Sequence, residues 1–139
     1  MRLCQKKSFA ISASELMKLL LDTHVFLWWN QNDPRLRSSH ADAIRLPQSQ
    51  VYVSAASAWE IGIKRNIGKL TFAGSVLDAI QRHRFEELPI SVRHAEQAGS
   101  LPAIHSDPFD RLLVAQALIE GLTLVTVDNL ILQYQVPHL

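Results

Sequence analysis

Two apolar runs, each closing on an aspartate, constrain this chain more than any other feature. Lys18–Leu21, within MKLLL, is followed at once by Asp22, and Leu122–Val127 (LTLVTV) by Asp128. Runs this short and this apolar read as strands buried on both faces, which is the pattern of a parallel sheet. Val51–Ser54 (VYVS) reads as another strand and Phe85–Pro89 as a weak one. Between them lie helical patterns beginning at Val25–Trp29, then Ser38–Leu46, Ala58 to about Arg65, Ser75–Arg84, Val92–Ala98 and Pro108–Glu120, with Gly121 suited to the C′ position of the last. This alternation predicts an α/β fold with a parallel sheet and helices on both faces. It does not determine strand order.

The chain has 139 residues, the size of one domain, and 47% of them are hydrophobic, enough for a core. Lys and Arg number 14 against 13 Asp and Glu, a formal charge of +1. That balance excludes a polybasic nucleic-acid arm, an acidic tail and charge-driven disorder. No apolar run is long enough for a membrane span, since Asp22 and His24 interrupt the longest. Cys4 is the one cysteine, so a disulfide framework is excluded and a reducing cytoplasm fits. Residues 1–16 (MRLCQKKSFAISASEL) lack a clear period and make a poor secretory signal. They are expected to be a non-catalytic extension, with the domain beginning at Met17 and running over 17–139.

In open parallel sheets ligands bind beyond the carboxyl ends of the strands. Asp22 and Asp128 fall there. Glu60 falls in the first turn of the helix after VYVS, at the same edge. Asp107 and Asp110 open the helix Pro108–Glu120, whose start reaches that edge if a strand precedes it closely. Taken singly, most of these acids have an ordinary structural explanation. Ser57 and Glu60 have capping-box spacing, Asp107-Pro108 reads as N-cap and N1, Asp110 suits the helix dipole at N3, and Asp128-Asn129 can be a simple turn. Asp22 is different, because a carboxylate closing an apolar strand is costly unless it is hydrogen-bonded or coordinated. Capping also gives no reason for several acids to converge on one edge. Crowded carboxylates raise one another's pKa unless a cation neutralises them. Hard divalent cations take oxygen ligands and sit between carboxylates and phosphates, where they activate water for phosphodiester cleavage. The pattern therefore points to metal-dependent phosphoryl chemistry.

The segments LLLDTHVFLWW, SAASAWEIGIKRNIGKL, HSDPFDRLLVAQALIEGLTLVTVD and QYQV resemble the PIN-domain ribonucleases, in particular the VapC-type toxins of bacterial toxin–antitoxin pairs, in order and spacing from Met17 nearly to the C-terminus. The resemblance implies a three-layer α/β/α sandwich with a mainly parallel sheet of four or five strands. It implies an acidic site that holds Mg²⁺ or Mn²⁺ and cleaves single-stranded RNA, a cognate antitoxin, and a homodimer. Carried over by motif, the catalytic and metal-binding acids are Asp22 of DTH, Glu60 of SAWEI, Asp110 of DRLLVAQA and Asp128 of TVD. On that implied pattern Asp22 and Asp110 bind the main metal and Glu60 and Asp128 complete the set. The expected RNA products carry 5′-phosphate and 3′-hydroxyl ends. Asp107 is read first as an N-cap and second as an outer ligand, and Thr23 and Thr126 as partners for a carboxylate.

The six histidines lack the spacing of a zinc site, and His24 and His105 read as structural. Lys64, Arg65 and Lys69 form a basic turn open to two readings, RNA contact or solvated face. Arg111 is expected either to contact RNA or to neutralise the acids when no metal is bound. Trp28 and Trp29 cannot both enter one core, so one is expected to be partly exposed toward a partner. Two rival functions use similar acids. A phosphoaspartyl receiver needs a second acid beside the first and a late lysine, whereas DTH has no second acid and no lysine follows Lys69. A non-catalytic RNA-binding or interaction module has no need for four acids at one edge.

Overall fold

The computed structural model describes residues 17–139; the expected extension, 1–16, lies outside the described residues. The elements are β1 (Met17–Leu21), α1 (Thr23–Gln31), α2 (Ser38–Arg45), β2 (Ser49–Ser54), α3 (Ala55–Asn66), α4 (Val76–Arg82), β3 (Glu86–Leu88), α5 (Val92–Ser100), α6 (Pro108–Glu120), β4 (Thr123–Val125) and α7 (Asn129–Leu132). Four parallel strands lie in the order β3-β2-β1-β4. Leu21, the last residue of β1, is level with Val53 of β2 and Val125 of β4.

β1 is central, and its alternation divides the interior. Leu19 and Leu21 face a core built with Val25 and Phe26 of α1, Ile44 of α2, Ile61 of α3, Ile80 of α4 and Phe72. Leu20 faces the other way, onto Leu113, Val114 and Ala117 of α6, Ile131 of α7, Tyr134 and Val136. Leu19, Leu20 and Leu21 are all fully buried. A strand apolar on both faces needs helices on both, and the result is the expected three-layer sandwich.

The order 3-2-1-4 fixes the site as well. The chain leaves β1 toward β2 and β3, then crosses back to add β4 on the far side of β1. The crevice between β1 and β4 at the carboxyl edge is where the topology switches direction, the usual place for a ligand in such sheets.

Several element boundaries correct the sequence-based expectations. α3 starts at Ala55 with Ser54 as its N-cap, whose side chain accepts the Ala56 N–H at 2.9 Å. Strand β2 thus runs into α3 with no loop, and Ser57 and Glu60 do not form a capping box but sit inside the helix, buried. β4 ends at Val125 rather than Val127, and Asp128 is the N-cap of the short helix α7 instead of a simple turn. α6 is as expected, with Asp107 as N-cap, Pro108 at its start and Gly121 at φ 68° closing it in the left-handed conformation. α6 is not preceded by a strand. α5 and the segment 101–107 intervene, and Arg111 holds that segment in place.

Trp29 packs against the first core and Trp28 stacks with Arg35; both are half-buried. Among the described residues, the Trp, Tyr or Phe that stands clearly in solvent is Trp59, 61% exposed.

Candidate metal centre

The helices and strands bring all four predicted acids to the β1–β4 crevice. Asp22 is buried at the end of β1 and caps α1, one carboxylate oxygen accepting the Val25 N–H at 2.8 Å. Its other oxygen accepts the Thr126 hydroxyl at 2.5 Å. Thr126 oxygen in turn accepts the Asp128 N–H at 3.0 Å, which ties the two strand ends together. Asp22 thus satisfies a helix end and a strand end at once. Burial nevertheless pushes its carboxyl above the ordinary range, Thr126 and the Val25 N–H pull the other way, and Asp128 adds a like charge.

Glu60 is buried in the second turn of α3. Its Oε1 accepts the Thr23 hydroxyl at 2.7 Å and its Oε2 the Lys64 ammonium at 2.7 Å. Thr23 also lies 2.9 Å from the Ser57 hydroxyl, so α1 and α3 are joined through the site's edge. Both threonines singled out in the sequence therefore do bond carboxylates.

Asp110 arrives on the first turn of α6. Burial first, and then the charge of Asp107, push its carboxyl up to about 7, with Asp128 and Glu60 adding to the rise and His105 opposing it. A carboxyl that high among other carboxylates marks a place where a cation belongs. Asp107 oxygen accepts the N–H groups of Phe109 and Asp110 at 2.8 and 3.1 Å, so its capping role is the one seen.

His105, expected to be structural, sits inside the cluster. Its Nε2 is 2.9 Å from Asp110 and 3.6 Å from Asp128, buried, yet not aligned for a hydrogen bond with either. One donor atom each from His105, Asp110 and Asp128 falls within 4.8 Å of the others. The Asp107 N–H reaches His105 Nδ1 at 3.4 Å and thereby favours the ring proton on Nε2. For Nε2 to ligate a cation that proton has to move to Nδ1. Among the described residues, the donors brought within reach of one ion are His105, Asp110 and Asp128, two carboxylates and an imidazole that fit a divalent cation; Asp22 and Glu60 are not among them.

The basic residues fall differently from expectation. Arg111 does not face the acids. Its guanidinium donates to the carbonyls of Ala98, Leu101, Pro102 and His105 at 2.8–3.1 Å and approaches the Tyr134 hydroxyl at 3.3 Å. It clasps the segment that carries His105 and Asp107. Arg65 is likewise bound to the carbonyls of Phe72 and Gly74. Among the described residues, the lysine or arginine bonded to one of the four acids is Lys64. Its placement was legible from the four-residue spacing to Glu60, which puts both on one helix face. No local signal marks His105, because the segment 101–107 has no regular period.

A family model for the PIN domain matches residues 19–137, and the chain belongs to that family. Over 123 residues it is 30% identical to ribonuclease VapC22 of Mycobacterium tuberculosis, a match covering 86% of this chain and 94% of that one. Among solved structures it is similar to VapBC2 from Rickettsia felis bound to a DNA fragment from their promoter, at TM-score 0.64 and 16% identity, covering 88% of this chain and 98% of that one. It is also similar to VapBC-1 from nontypeable Haemophilus influenzae, at TM-score 0.58 and 17% identity, covering 88% and 97%. These two likenesses speak for the fold. The family model and the VapC22 match speak for the nuclease class.

Proposed function

We propose that this chain is a Mg²⁺- or Mn²⁺-dependent endoribonuclease and the toxin of a toxin–antitoxin pair, acting in the cytoplasm. Its nuclease domain spans 17–139, and Asp22, Glu60, Asp110 and Asp128 are its catalytic, metal-binding acids. The observation that carries the reading is the convergence of these four acids, drawn from β1, α3, α6 and the cap of α7, on one crevice where the Asp110 carboxyl is pushed to about 7. A divalent cation held there supplies charge neutralisation and water activation for phosphodiester cleavage. The chain's own part is orientation: Thr126 and the α1 N-terminus fix Asp22, and Thr23 fixes Glu60. Arg111 fixes the approach to α6, which carries Asp110.

Total cellular RNA incubated with Mn²⁺ tests this. The wild type is expected to produce fragments with 5′-phosphate and 3′-hydroxyl ends, and excess EDTA to stop it. Asp22→Asn is expected to lower the rate at least ~100-fold. Asparagine still caps α1, so circular dichroism should be unchanged. Full activity in Asp22→Asn or in EDTA refutes the mechanism and leaves a non-catalytic RNA-binding or interaction module as the better reading.

The toxin reading brings an antitoxin partner and a homodimer with it. In its favour α3 exposes Trp59 and Ile63, one helical turn apart, at 61% and 38%, and its C-cap residue Ile67 is 58% exposed. A stripe of this kind is a protein-contact surface more often than a free one.

A further inference from the structure

Lys64 spans the boundary between the acidic crevice and solvent. Its Nζ is 2.7 Å from Oε2 of Glu60, whose side chain is 6% exposed, while the lysine side chain keeps 38% exposure. The charges that act on the ammonium are those of Glu60, then Asp107 and Asp110, so it lies in the joint field of α3 and α6. Glu60 holds it protonated more firmly than an ordinary lysine. Arg65 and Arg111 are committed to backbone carbonyls on other segments, whereas Lys64 is already bonded to an acid of the site and partly open to solvent.

A divalent ion and an ammonium cannot share one carboxylate at close range without strong repulsion. Lysine has a flexible stem and a compact charge, and this one is open enough to swing outward once another cation compensates Glu60. An incoming RNA strand brings phosphates to the same mouth.

We propose that Lys64 is a tethered counter-ion that neutralises Glu60 in the metal-free protein and, once a divalent cation occupies the acids, releases Glu60 and binds an RNA phosphate. The proposal rests on the metal-nuclease reading above. It involves no covalent step and no proton transfer, since the ammonium stays charged in both positions.

The test measures Mn²⁺ affinity by calorimetry without RNA, and then the steady-state cleavage of a single-stranded RNA at saturating Mn²⁺, for wild type, Lys64→Gln and Lys64→Arg. Removing the competing charge is expected to tighten Mn²⁺ binding about fivefold in Lys64→Gln. The same variant should raise KM about tenfold with a smaller change in kcat. The slope of log affinity against log salt should fall by about one, as for the loss of one phosphate contact. Lys64→Arg should stay within about twofold of wild type in Mn²⁺ affinity, because it keeps the charge. Unchanged or weaker Mn²⁺ binding in Lys64→Gln overturns the counter-ion role, and an unchanged KM and salt slope overturn the phosphate role. If the wild type itself binds no Mn²⁺ and cleaves no RNA, the nuclease reading fails, and this inference with it.

Discussion

At the residue scale, the acids of the crevice differ in how their charge is compensated. Asp22 has a helix N-terminus and a threonine hydroxyl, and Glu60 has a threonine and a lysine. Asp110 has no such partner: burial first, and then the neighbouring charge of Asp107, push its carboxyl to about 7 against the opposing pull of His105. This has a consequence for stability. The folded protein holds that proton from pH 3.8, the ordinary value, up to about 7, whereas the unfolded chain has already lost it. Where the native state binds more protons, stability falls as pH rises. The contribution of Asp110 is therefore complete below about pH 4 and gone above about 7. Urea midpoints in EDTA should show Asp110→Asn gaining on wild type as pH rises through that window. Mn²⁺ at ~100 times its Kd should add about 2.7 kcal/mol to wild type at pH 8 and much less to the variant. A pH-independent difference between the two proteins contradicts the assignment.

Among the elements, β1, α6 and the runs that form them were legible in the sequence. MKLLL is apolar at every position that a doubly covered strand needs, and Asp107-Pro108 with Gly121 marks both ends of α6. The start of α3 departs from the sequence pattern because two serines compete for the cap. Ser57 has the better motif, but Ser54 is where the backbone leaves the strand, and a helix begins where its first turn can form against the core. The role of Arg111 was equally hidden. A sequence places it beside Asp110, but consecutive helix residues point about 100° apart, so one neighbour faces the crevice and the other the segment 101–107. Arg111→Lys loses most of the fan of hydrogen bonds that a guanidinium makes. It is expected to lower stability by ~2 kcal/mol and to cut cleavage by loosening the approach to Asp110. Retained stability and rate in Arg111→Lys would mean that the segment is held by its other contacts.

For the whole molecule, near-neutral composition conceals a division of charge. Asp22, Glu60, Asp107, Asp110 and Asp128 gather at one crevice with Lys64 beside them, while Arg65 and Arg111 staple loops, an arrangement open to a polyanion once a cation fills the centre. No helix among the described residues is long and apolar enough to cross a membrane. On the proposed toxin reading, the exposed face of α3 is where a second chain would dock. Light scattering of the purified protein should give twice the chain mass. Trp59→Asp should return the mass to that of a monomer without a change in far-ultraviolet circular dichroism. A wild-type monomer rules out the homodimer and leaves the face to an antitoxin.

The amino-acid sequence by itself determined the layers and the chemistry. Apolar period and length decide which runs are buried strands, and an aspartate at the end of such a run has little reason to be there except to bond or to ligate. Strand order, by contrast, depends on which faces pack together. Only the tertiary structure decided that β4 returns to the far side of β1, that Lys64 rather than Arg111 faces the acids, and that His105 joins them from an irregular segment. Those outcomes are set by contacts between residues distant in the chain, and no local pattern encodes the direction in which a side chain meets a neighbour that arrives a hundred residues later.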